Sequence, residues 1–411
     1  MVKSHKIPFV FRRTEANRFT IPVLFSILEK ESWEAHFSLS IADSFPHLLS
    51  MLPKKRPSIV AYSFMTTNLP SVMREVGQLK THKTENVLLI AGGPHAVGDP
   101  EGTLKIGFDA VSAGEGETTL PQICKQLLDR GREITGKIFR SQERIPLDES
   151  LPISKNIPLL APLEITRGCH YRCGFCQSGR TGPFHRSLQS IRRYLDEMVR
   201  RNYLFRVGFI CPSGFEYGSE KPGRLEPESV EAVLRMAKER NIRYLEYGIF
   251  PSEVRPNTVR PDFLKLIRKY CTNKKLTIGV QSGSERTLKR LKRGHTVEDI
   301  VQAASLTQEN RLKPQLDFII GFPGESREGR EKTLTLIKKM GTRYNARNQI
   351  HFFIPLPGTP LENQKPVFPE KKVIETLDQY ARDGICTDWW KKGMELSQRI
   401  ITAQEALQKQ K

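Results

Sequence analysis

The sequence lacks long apolar runs, regularly spaced cysteines and an excess of acidic residues. No apolar stretch approaches the roughly 18 residues that a membrane span needs. Residues 1–13 are basic, but no apolar segment follows them, so we expect no signal peptide. Seven cysteines without an even spacing favour a reducing cytoplasm over a disulfide framework. A chain of 411 residues, 38% of them hydrophobic, is long enough for two or three folded domains.

Acidic residues are scarce relative to basic ones, 45 against 65, and the formal net charge is +20. A positive field of this size favours acidic partners, such as nucleic acid, an acidic protein or a phosphorylated ligand. The basic residues are spread over both halves of the chain and form no arginine-rich tail, which also suits solvated helix faces. The charge therefore leaves nucleic-acid binding open without favouring it, and we expect a protein or peptide partner with an acidic surface.

Three of the cysteines lie in one short loop. Cys169, Cys173 and Cys176 have C-x-x-x-C-x-x-C spacing and follow a strand-like stretch at 163–166. Three thiolates on one loop can bind three irons of a four-iron cluster and leave the fourth iron open to a substrate or cofactor. Zinc is the alternative, because it takes four ligands and His170 and His185 lie nearby in the sequence. Core packing does not require three cysteines in eight positions, so the loop predicts a metal centre.

Residues 7 to 130 alternate strand-like and helix-like stretches, which predicts an open parallel sheet. Ligands of such sheets bind at the carboxyl ends of the strands. Glycine-rich turns at these ends let the backbone approach a bulky ligand closely. The residues expected at these ends are Ser63, Met65, Thr66, Gly92, Gly93, His95, Gly114, Glu115 and Gly116.

The second half of the chain repeats the alternation. Residues 131–160 are polar and contain prolines, and we interpret them as an interdomain linker. From 161 to 360, six βα units predict a partial TIM-type barrel, with its chemistry on loops at the carboxyl ends of the strands. The cysteine loop follows the first of these strands and falls at that end. Residues 361–411 predict a helical extension, interrupted by Trp389 and Trp390.

At this point the motifs resemble those of the radical S-adenosylmethionine (SAM) enzymes. The cysteine loop, with Phe175 before its last cysteine, is similar to theirs. Ile278-Gly-Val-Gln-Ser-Gly-Ser-Glu285, Asp317-Phe-Ile-Ile-Gly-Phe-Pro-Gly-Glu325 and Pro355-Leu-Pro-Gly-Thr-Pro360 look like the fourth-, fifth- and sixth-strand motifs of that superfamily. Ala91-Gly-Gly-Pro-His95 and the turn at 114–117 are similar to those of its cobalamin-binding members. The first half is then expected to be a Rossmann-like cobalamin-binding domain.

The resemblance implies three cofactors: a 4Fe-4S cluster, SAM and cobalamin. Cys169, Cys173 and Cys176 would bind the cluster, and Phe175 would touch the adenine of SAM. The backbone of Gly321 and of residues 323–325 would shape the adenine edge, and the glycine-rich turns of the first half would hold cobalamin. The candidate contacts to the ribose and carboxylate of SAM are Ser252, Glu253, Arg255, Gln281 and Ser282.

Two features of related proteins are missing from this sequence. Many cobalamin domains carry a D-x-H-x-x-G loop whose histidine binds cobalt, whereas Glu34-Ala-His36 lacks both the aspartate and the glycine. His95 is the histidine placed near a cofactor, and we expect a structural role for it. Methylthiotransferases of the superfamily carry three further cysteines in the N-terminal domain, where this chain has only Cys124. A second cluster, and with it thiomethylation, is therefore disfavoured.

The resemblance implies a cobalamin-dependent radical SAM C-methyltransferase, which transfers a methyl group from methylcobalamin to an unactivated carbon. Cys211 and Tyr217, at the end of the second barrel strand, are candidate catalytic residues that bind substrate or pass a hydrogen. The stretches 212–218 and 250–256 look like those of an archaeal group, so we expect a protein acceptor, such as a glutamine or arginine of methyl-coenzyme M reductase, and a reductant protein for the cluster.

Two alternatives remain open at this point. One is a cobalamin-dependent radical enzyme that cyclises or rearranges a small molecule without methyl transfer. The other is an RNA-modifying or RNA-binding protein, for which the net charge of +20 is the supporting feature.

Overall fold

The computed structural model describes residues 6–30, 32–53, 55–81, 86–141, 144–157 and 162–409. The chain divides into two compact units. The first comprises Met1–Ala161, Leu356–Gly358 and Gln398–Lys411, and the second comprises Pro162–Pro355 and Thr359–Ser397. In the described part of the chain, no helix combines the length and the apolar character that crossing a membrane requires.

The first unit contains a sheet of six parallel strands in the order β2-β1-β3-β4-β5-β6. Strands β3 and β4 are apolar along almost their whole length and are covered on both faces, which is typical of central strands in a parallel sheet. The strands are β1 (Ile7–Arg12), β2 (Phe37–Ala42), β3 (Ser58–Ser63), β4 (Val87–Gly92), β5 (Ala110–Ser112) and β6 (Lys137–Phe139).

Helices cover both faces of this sheet. Phe9 and Phe11 pack on one face with their rings 4.9 Å apart, among side chains of α1 and α6. Val10 and Val60 lie on the other face, against α3. The helices are α1 (Thr20–Lys30), α2 (Phe45–Met51), α3 (Leu69–Thr81), α4 (Pro94–Gly98), α5 (Pro100–Lys105) and α6 (Gly116–Arg130). The doubly wound α/β fold expected for the first half is therefore present.

Residues 131–141 and 144–157, within the stretch interpreted as a linker, are part of the first unit. Strand β6 pairs with β5, and Ile157 is buried in the core. The buried carboxylate of Glu29 accepts hydrogen bonds from the backbone N–H groups of Lys155 and Asn156, at 2.6 and 3.2 Å. These contacts attach the segment to α1. Residues 158–160, at the end of the expected linker, lie outside the described part of the chain.

The second unit is built on short parallel strands followed by longer ones. Pairing joins β7 to β11, β10 to β12, and β13 to β14 to β15, and a parallel bridge between Val254 and Ile278 connects the segment after β12 to β13. This succession is the expected partial barrel. The strands are β7 (Leu163–Glu164), β8 (Thr166–Arg167), β9 (Phe184–His185), β10 (Arg206–Val207), β11 (Phe209–Ile210), β12 (Tyr244–Leu245), β13 (Lys275–Gln281), β14 (Lys313–Ile320) and β15 (Arg347–Phe352).

Helices connect successive strands of the second unit. Their starts follow from sequence: Thr296 caps α11 by accepting a hydrogen bond from the backbone N–H of Asp299, and Ser326 caps α12 in the same way. The helices are α7 (Leu188–Arg200), α8 (Pro227–Lys238), α9 (Pro261–Tyr270), α10 (Glu285–Arg290), α11 (Val297–Glu309), α12 (Arg327–Arg343), α13 (Lys371–Arg382) and α14 (Trp389–Lys409). The last two confirm the expected helical C-terminal extension.

Candidate functional site

The cysteine loop is closed at its base by a short antiparallel pair. Strands β8 and β9 join Thr166 to His185 and Arg167 to Phe184, so residues 168–183 form one excursion. Gly168 has a φ of +83°, and a Cβ there would lie 2.3 Å from the carbonyl oxygen of Gly182. Only glycine fits this entry to the loop. The sequence therefore places three cysteines on a loop whose two ends are held together.

The two histidines that left zinc open are engaged elsewhere. The Nε2 atoms of His170 and His185 lie 3.0 and 3.1 Å from the same carbonyl oxygen, that of Ser219. Among the described residues, no three His, Cys, Asp or Glu side chains converge on a point that one metal ion could occupy. A four-iron cluster does not require such convergence, since each cysteine binds a different iron.

Two arginines approach the central cysteine. Nη1 of Arg293 lies 3.2 Å from Sγ of Cys173, and Nη1 of Arg255 lies 3.8 Å from it. Burial by itself raises the pKa of the Cys173 thiol, but the two guanidinium groups outweigh burial and the pKa falls below its ordinary value. Burial raises the pKa of Cys169 to about 11. The Cys173 thiol is thus converted to a thiolate ligand more readily than the Cys169 thiol.

A carboxylate and a phenol lie beside these arginines. Arg255 stacks on the ring of Tyr171, with 3.4 Å between the guanidinium carbon and the ring centroid. The hydroxyl of Tyr171 donates to Oε1 of Glu216 at 3.1 Å. Glu216 is buried, and its second oxygen, Oε2, has no hydrogen-bond partner in the described part of the chain. One oxygen of this carboxylate is therefore available to a donor on a ligand.

The surroundings of Cys173 hold several buried polar atoms without a partner among the described residues. An unpaired buried polar group costs roughly 1–3 kcal/mol, so a concentration of them predicts a polar ligand. Their chemistry fits SAM beside a cluster. A carboxylate suits the ammonium group of SAM, an amide suits its hydroxyl groups, and a guanidinium suits its carboxylate. The atoms are Ser213 Oγ, Glu216 Oε2, Arg255 Nε and Nη2, Gln281 Oε1, Arg293 Nε, His295 Nδ1 and Asp317 Oδ1.

Gln281 reaches this region through an irregularity in β13. The pairing with β14 shifts between Gly279 and Gln281, and Gln281 has a φ of +71°. Such bulges re-aim a side chain, and they are frequent next to active sites. The amide nitrogen of Gln281 lies 2.9 Å from the position of a Cβ at Gly279, where a larger residue would exclude it. The backbone of β13 thus directs this amide into the site.

Glu253 lies on the same, concave side of the strands. Val254 and Ile278 are buried bridge partners, so Glu253 and Arg255 point to the opposite side. Burial and the nearby Asp317 raise the pKa of Glu253 to about 7. Asp317 itself lies 3.7 Å from Nε2 of His351. Around neutral pH the carboxyl group of Glu253 therefore exchanges a proton, which an ordinary glutamate would already have lost.

Two of the expected SAM contacts have hydroxyl groups that bind protein. Ser252 Oγ donates to the carbonyl oxygen of Ile249 at 2.9 Å, and Ser282 Oγ contacts Thr333 Oγ1 at 3.1 Å. Both serines are buried. The structure therefore brings Arg255, Gln281 and Glu253 toward the site while it gives the two serines bonds within the scaffold. Their contact with SAM stays a prediction.

The candidate catalytic pair is buried close to the cysteine loop. Cys211 Sγ donates to the carbonyl oxygen of Ser213 at 3.2 Å, and burial raises its pKa to about 12. Tyr217 is also buried, and its hydroxyl donates to the carbonyl oxygen of Arg186 at 2.7 Å. The Cys211 thiol is thus neutral near pH 7, and both groups are bonded to backbone carbonyl oxygens. A catalytic role for Cys211 and Tyr217 stays a prediction.

Phe175 is half-buried against Phe322, with ring centroids 5.5 Å apart. Gly321 precedes Phe322 with a φ of +84°, and a Cβ there would lie 2.5 Å from the ring of Phe352. Phe175, Phe322 and Gly321 form an apolar wall with an adjacent backbone edge, next to the arginines of the site. A flat ring such as adenine would fit that chemistry, and contact between Phe175 and the adenine of SAM stays a prediction.

The glycine-rich turns of the first unit lie together at the carboxyl edge of its sheet. Ser63 and Gly92 end the paired strands β3 and β4, and the turn at 114–116 follows β5. Gly93 has a φ of +89°, and a Cβ there would lie 2.7 Å from the backbone nitrogen of Phe64. Met65 is 44% exposed beside this turn. A turn without side chains next to an exposed apolar residue fits the broad face of a corrin.

The remaining residues predicted to bind the corrin have scaffold contacts. Gly114 approaches Ser141, where a Cβ would lie 2.7 Å from the backbone nitrogen. Glu115 accepts a hydrogen bond from the backbone of Ile145 at 3.4 Å and precedes Gly116, the first residue of α6. Thr66 Oγ1 contacts Nδ1 of His95 at 3.1 Å. Their contacts to cobalamin stay predictions.

His95 is completely buried. Its ring stacks on Phe64 with centroids 5.1 Å apart, and burial lowers its pKa to about 4. A neutral imidazole held between Thr66 and Phe64 stabilises the turn after β4. This environment supports the structural role expected for His95.

Three residues of the site did not stand out in the sequence. Arg293 is one of five basic residues between 286 and 293, and no pattern distinguishes it from its neighbours. Asp317 lies within β14, and Glu216 lies in the turn that follows β11, among small and aromatic residues. A single carboxylate among mainly uncharged residues was the signal available for both acids.

Comparison with known proteins agrees with this geometry. The radical SAM superfamily matches residues 163–337, and the B12-binding domain matches residues 18–124. An uncharacterised methyltransferase of Pyrococcus horikoshii is 25% identical over 350 residues, which cover 77% of this chain and 71% of that protein. A tRNA-2-methylthio-N(6)-dimethylallyladenosine synthase of Chromohalobacter salexigens is 26% identical, over 80% of this chain and 72% of that protein.

Two solved structures share the fold. OxsB, a cobalamin-dependent SAM radical enzyme with aqua-cobalamin bound, has a TM-score of 0.64 at 16% identity, over 95% of this chain and 56% of its own. TsrM of Kitasatospora setae, a radical SAM methyltransferase with cobalamin and a [4Fe-4S] cluster bound, has a TM-score of 0.62 at 14% identity, over 87% of this chain and 77% of its own. The present chain thus spans little more than half of OxsB.

The two domain matches follow one another along the chain, and each falls on the unit that carries the corresponding candidate residues. The expected cofactors are accordingly a 4Fe-4S cluster and SAM in the second unit and cobalamin in the first. The chain therefore combines a B12-binding domain with a radical SAM domain, and it is similar to cobalamin-dependent radical SAM enzymes and to a methyltransferase.

Proposed function

We propose that this enzyme methylates an unactivated carbon of a protein residue. The observation that carries the proposal is the set of unpaired polar atoms around Cys173, in a chain that also has a B12-binding domain. When bound, the reduced cluster and SAM supply a radical that removes a hydrogen atom from the substrate, and cobalamin supplies the methyl group. The protein's own task is to hold these groups and to keep water away.

The residues of the second unit divide this task. Cys169, Cys173 and Cys176 hold the cluster. The guanidinium groups of Arg255 and Arg293 offset the negative charge of the thiolates, and their free N–H groups suit the carboxylate of SAM.

Three further residues would hold the rest of SAM. Glu216 offers one free carboxylate oxygen to its ammonium group. Gln281 and Asp317 offer free oxygens to the ribose hydroxyl groups.

The first unit would hold cobalamin at the carboxyl edge of its sheet. Gly92 and Gly93 allow this turn to pack closely on Ser112 and Phe64, the corrin would lie over the turn, and the exposed Met65 would contact its apolar face. The buried His95 is unsuited to bind cobalt, because its ring is enclosed between Thr66 and Phe64. Cobalt would then lack a histidine ligand from this turn, as the missing D-x-H-x-x-G motif already implied.

We propose a protein acceptor with an acidic surface, and a glutamine or arginine of methyl-coenzyme M reductase is the specific candidate. The net charge of +20 supports an acidic partner. A reductant protein must also deliver the electron for the cluster.

An RNA acceptor is the second candidate. It is favoured by the likeness to an enzyme that is named for tRNA modification, and by the same charge. Thiomethylation is disfavoured, because the first unit has a single cysteine, Cys124, which is fully buried with a pKa raised to about 12.

The test uses anaerobically reconstituted protein. We expect a broad absorbance near roughly 400 nm from thiolate-bound iron together with corrin bands. The triple Cys169→Ala/Cys173→Ala/Cys176→Ala variant should lose the former, and Cys124→Ala should keep it. With SAM, reductant and acceptor, S-adenosylhomocysteine and 5′-deoxyadenosine should form in equal amounts. Formation of 5′-deoxyadenosine without S-adenosylhomocysteine would contradict methyl transfer and favour a rearrangement.

A further inference from the structure

The amino-terminal ends of the barrel strands carry a continuous group of basic side chains. We call it the basic rim, and it consists of Arg243, Lys274, Lys275, Arg311, Lys313 and Arg347. All six are exposed. The cysteine loop lies at the carboxyl ends of the same parallel strands. Strand β13 has seven residues, so the two ends lie about 20 Å apart.

A hydrogen bond and the strand register place the rim residues of β13, β14 and β15 next to one another. The backbone N–H of Lys313 donates to the carbonyl oxygen of Lys274 at 2.8 Å. In the pairing of β13 with β14, Lys275 stands opposite Lys313, and in the next pairing Gln315 stands opposite Arg347. The cations of three neighbouring strands therefore lie side by side.

These cations lack acidic partners. Within the residues that the structure describes, no carboxylate forms an ion pair with Lys274, Lys313 or Arg347. By contrast, Arg206 at the same end pairs with Glu246 at 3.1 Å. Like charges directly opposite on neighbouring strands destabilise a sheet. An unneutralised row of them is the surface that a polyanion would bind.

An aromatic platform adjoins the rim. Phe205 is 59% exposed, and its ring meets that of Tyr244 edge to face with centroids 5.1 Å apart. The guanidinium of Arg243 lies over Tyr244, 5.3 Å from the ring centroid. The backbone N–H of Tyr244 donates to the carbonyl oxygen of Phe205, which fixes the two rings on adjacent strands.

We propose that the basic rim and this platform form a binding surface for single-stranded nucleic acid. Cations that follow the phosphates, next to exposed aromatic rings on which bases stack, are the combination that such ligands use. An acidic peptide would need the cations but would leave Phe205 in water, so the platform favours nucleic acid. The surface is distinct from the methylation site and does not rest on the identity of the methyl acceptor.

The test measures binding of a fluorescein-labelled oligoribonucleotide, about 20 residues long, to the full-length reconstituted enzyme by anisotropy. If about five phosphates are contacted, the affinity should fall about 100-fold between 50 and 200 mM salt. The rim variant Lys274→Gln/Lys313→Gln/Arg347→Gln should bind at least tenfold more weakly, with a salt slope smaller by about 2. Phe205→Ser should weaken binding with an unchanged slope.

A matched control removes the same charge elsewhere. Arg192 and Arg193 on α7 and Lys372 on α13 are exposed, and their combined change to glutamine should alter binding less than threefold. The rim variant should not unfold at a lower temperature, because removing facing like charges does not destabilise the sheet. Its 5′-deoxyadenosine formation should be unchanged, because its side chains are exposed and distant from the cysteines.

The same binding measurement with an oligodeoxyribonucleotide and with polyglutamate identifies the class of partner. Binding of either nucleic acid with the expected rim dependence supports the proposal, and the tighter of the two names the natural class. Polyglutamate binding as tight as RNA would overturn it in favour of an acidic polypeptide. Equal losses in the rim and control variants would show only unspecific attraction to the net charge, and they too would overturn it.

Discussion

The carboxyl group of Glu253 should make the stability of the second unit depend on pH. Burial, reinforced by Asp317, raises its pKa from the ordinary value of 4.5 to about 7. The folded protein therefore holds a proton on Glu253 that the unfolded chain has already lost between these two values. Stability then falls as the pH rises through this window, and the loss is complete above pH 7.

The size of the effect follows from the two pKa values. Their difference corresponds to about 3 kcal/mol. Glutamine cannot ionise, so Glu253→Gln should unfold with a free energy up to about 3 kcal/mol higher than the unchanged protein at pH 8, but less than about 1 kcal/mol higher at pH 5. Asp317→Asn should lower the pKa of Glu253 and reduce the difference between the two pH values.

The assay is urea unfolding of the cluster-free protein, followed by tryptophan fluorescence, because Trp389 and Trp390 lie in the second unit. Glu298→Gln, an exposed position in the first turn of α11, serves as the control and should shift stability equally at both pH values. A Glu253→Gln variant with the same stability change at pH 5 and pH 8 would refute the reasoning.

Two further predictions concern the cofactors. Arg293→Met should weaken SAM binding, measured per bound cluster, by about 10- to 100-fold, the loss expected for a charged hydrogen bond. Equilibrium dialysis measures the affinity, the exposed Arg286→Met is the control, and equal affinities would contradict a SAM contact. Gly93→Ala should destabilise the first unit by about 1–3 kcal/mol and lower the amount of cobalamin bound per chain. The control is Gly77→Ala on α3, which has open space around it and should stabilise the protein slightly. A Gly93→Ala variant with full cobalamin occupancy would contradict cobalamin binding at this turn.

The order of elements was accessible from periodicity and from local signals. Apolar runs such as those of β3 and β4, and capping residues such as Thr296 and Ser326, act within a few residues, so the sequence displays them directly. The lengths of the short barrel strands were predicted less accurately. The stretch 244–249 reads as one strand, but pairing covers only Tyr244–Leu245, because strand length is decided by the neighbour and not by propensity.

In the candidate site, too, some residues could be predicted from local sequence and others only from the tertiary structure. The three cysteines and Phe175 lie within eight residues, so their spacing alone predicted the metal centre. Arg293 and Asp317 come from distant parts of the chain, and only the pairing of β13 with β14 and the return of the chain after α10 bring them to the cysteines. Conversely, Ser252 and Ser282 seemed equivalent to Gln281 as polar residues near strand ends, yet their hydroxyl groups bond within the scaffold.

By itself, the sequence determined the succession of a parallel-sheet unit and a βα unit, the glycine turns at strand ends and the cysteine loop, because each depends on neighbours a few residues away. Only the tertiary structure decided which polar groups are buried without a partner, and which strand-start cations form one row. Both depend on the register between strands that are distant in the chain, such as those of Lys275 and Lys313, which are 38 residues apart, and no local pattern encodes such a register.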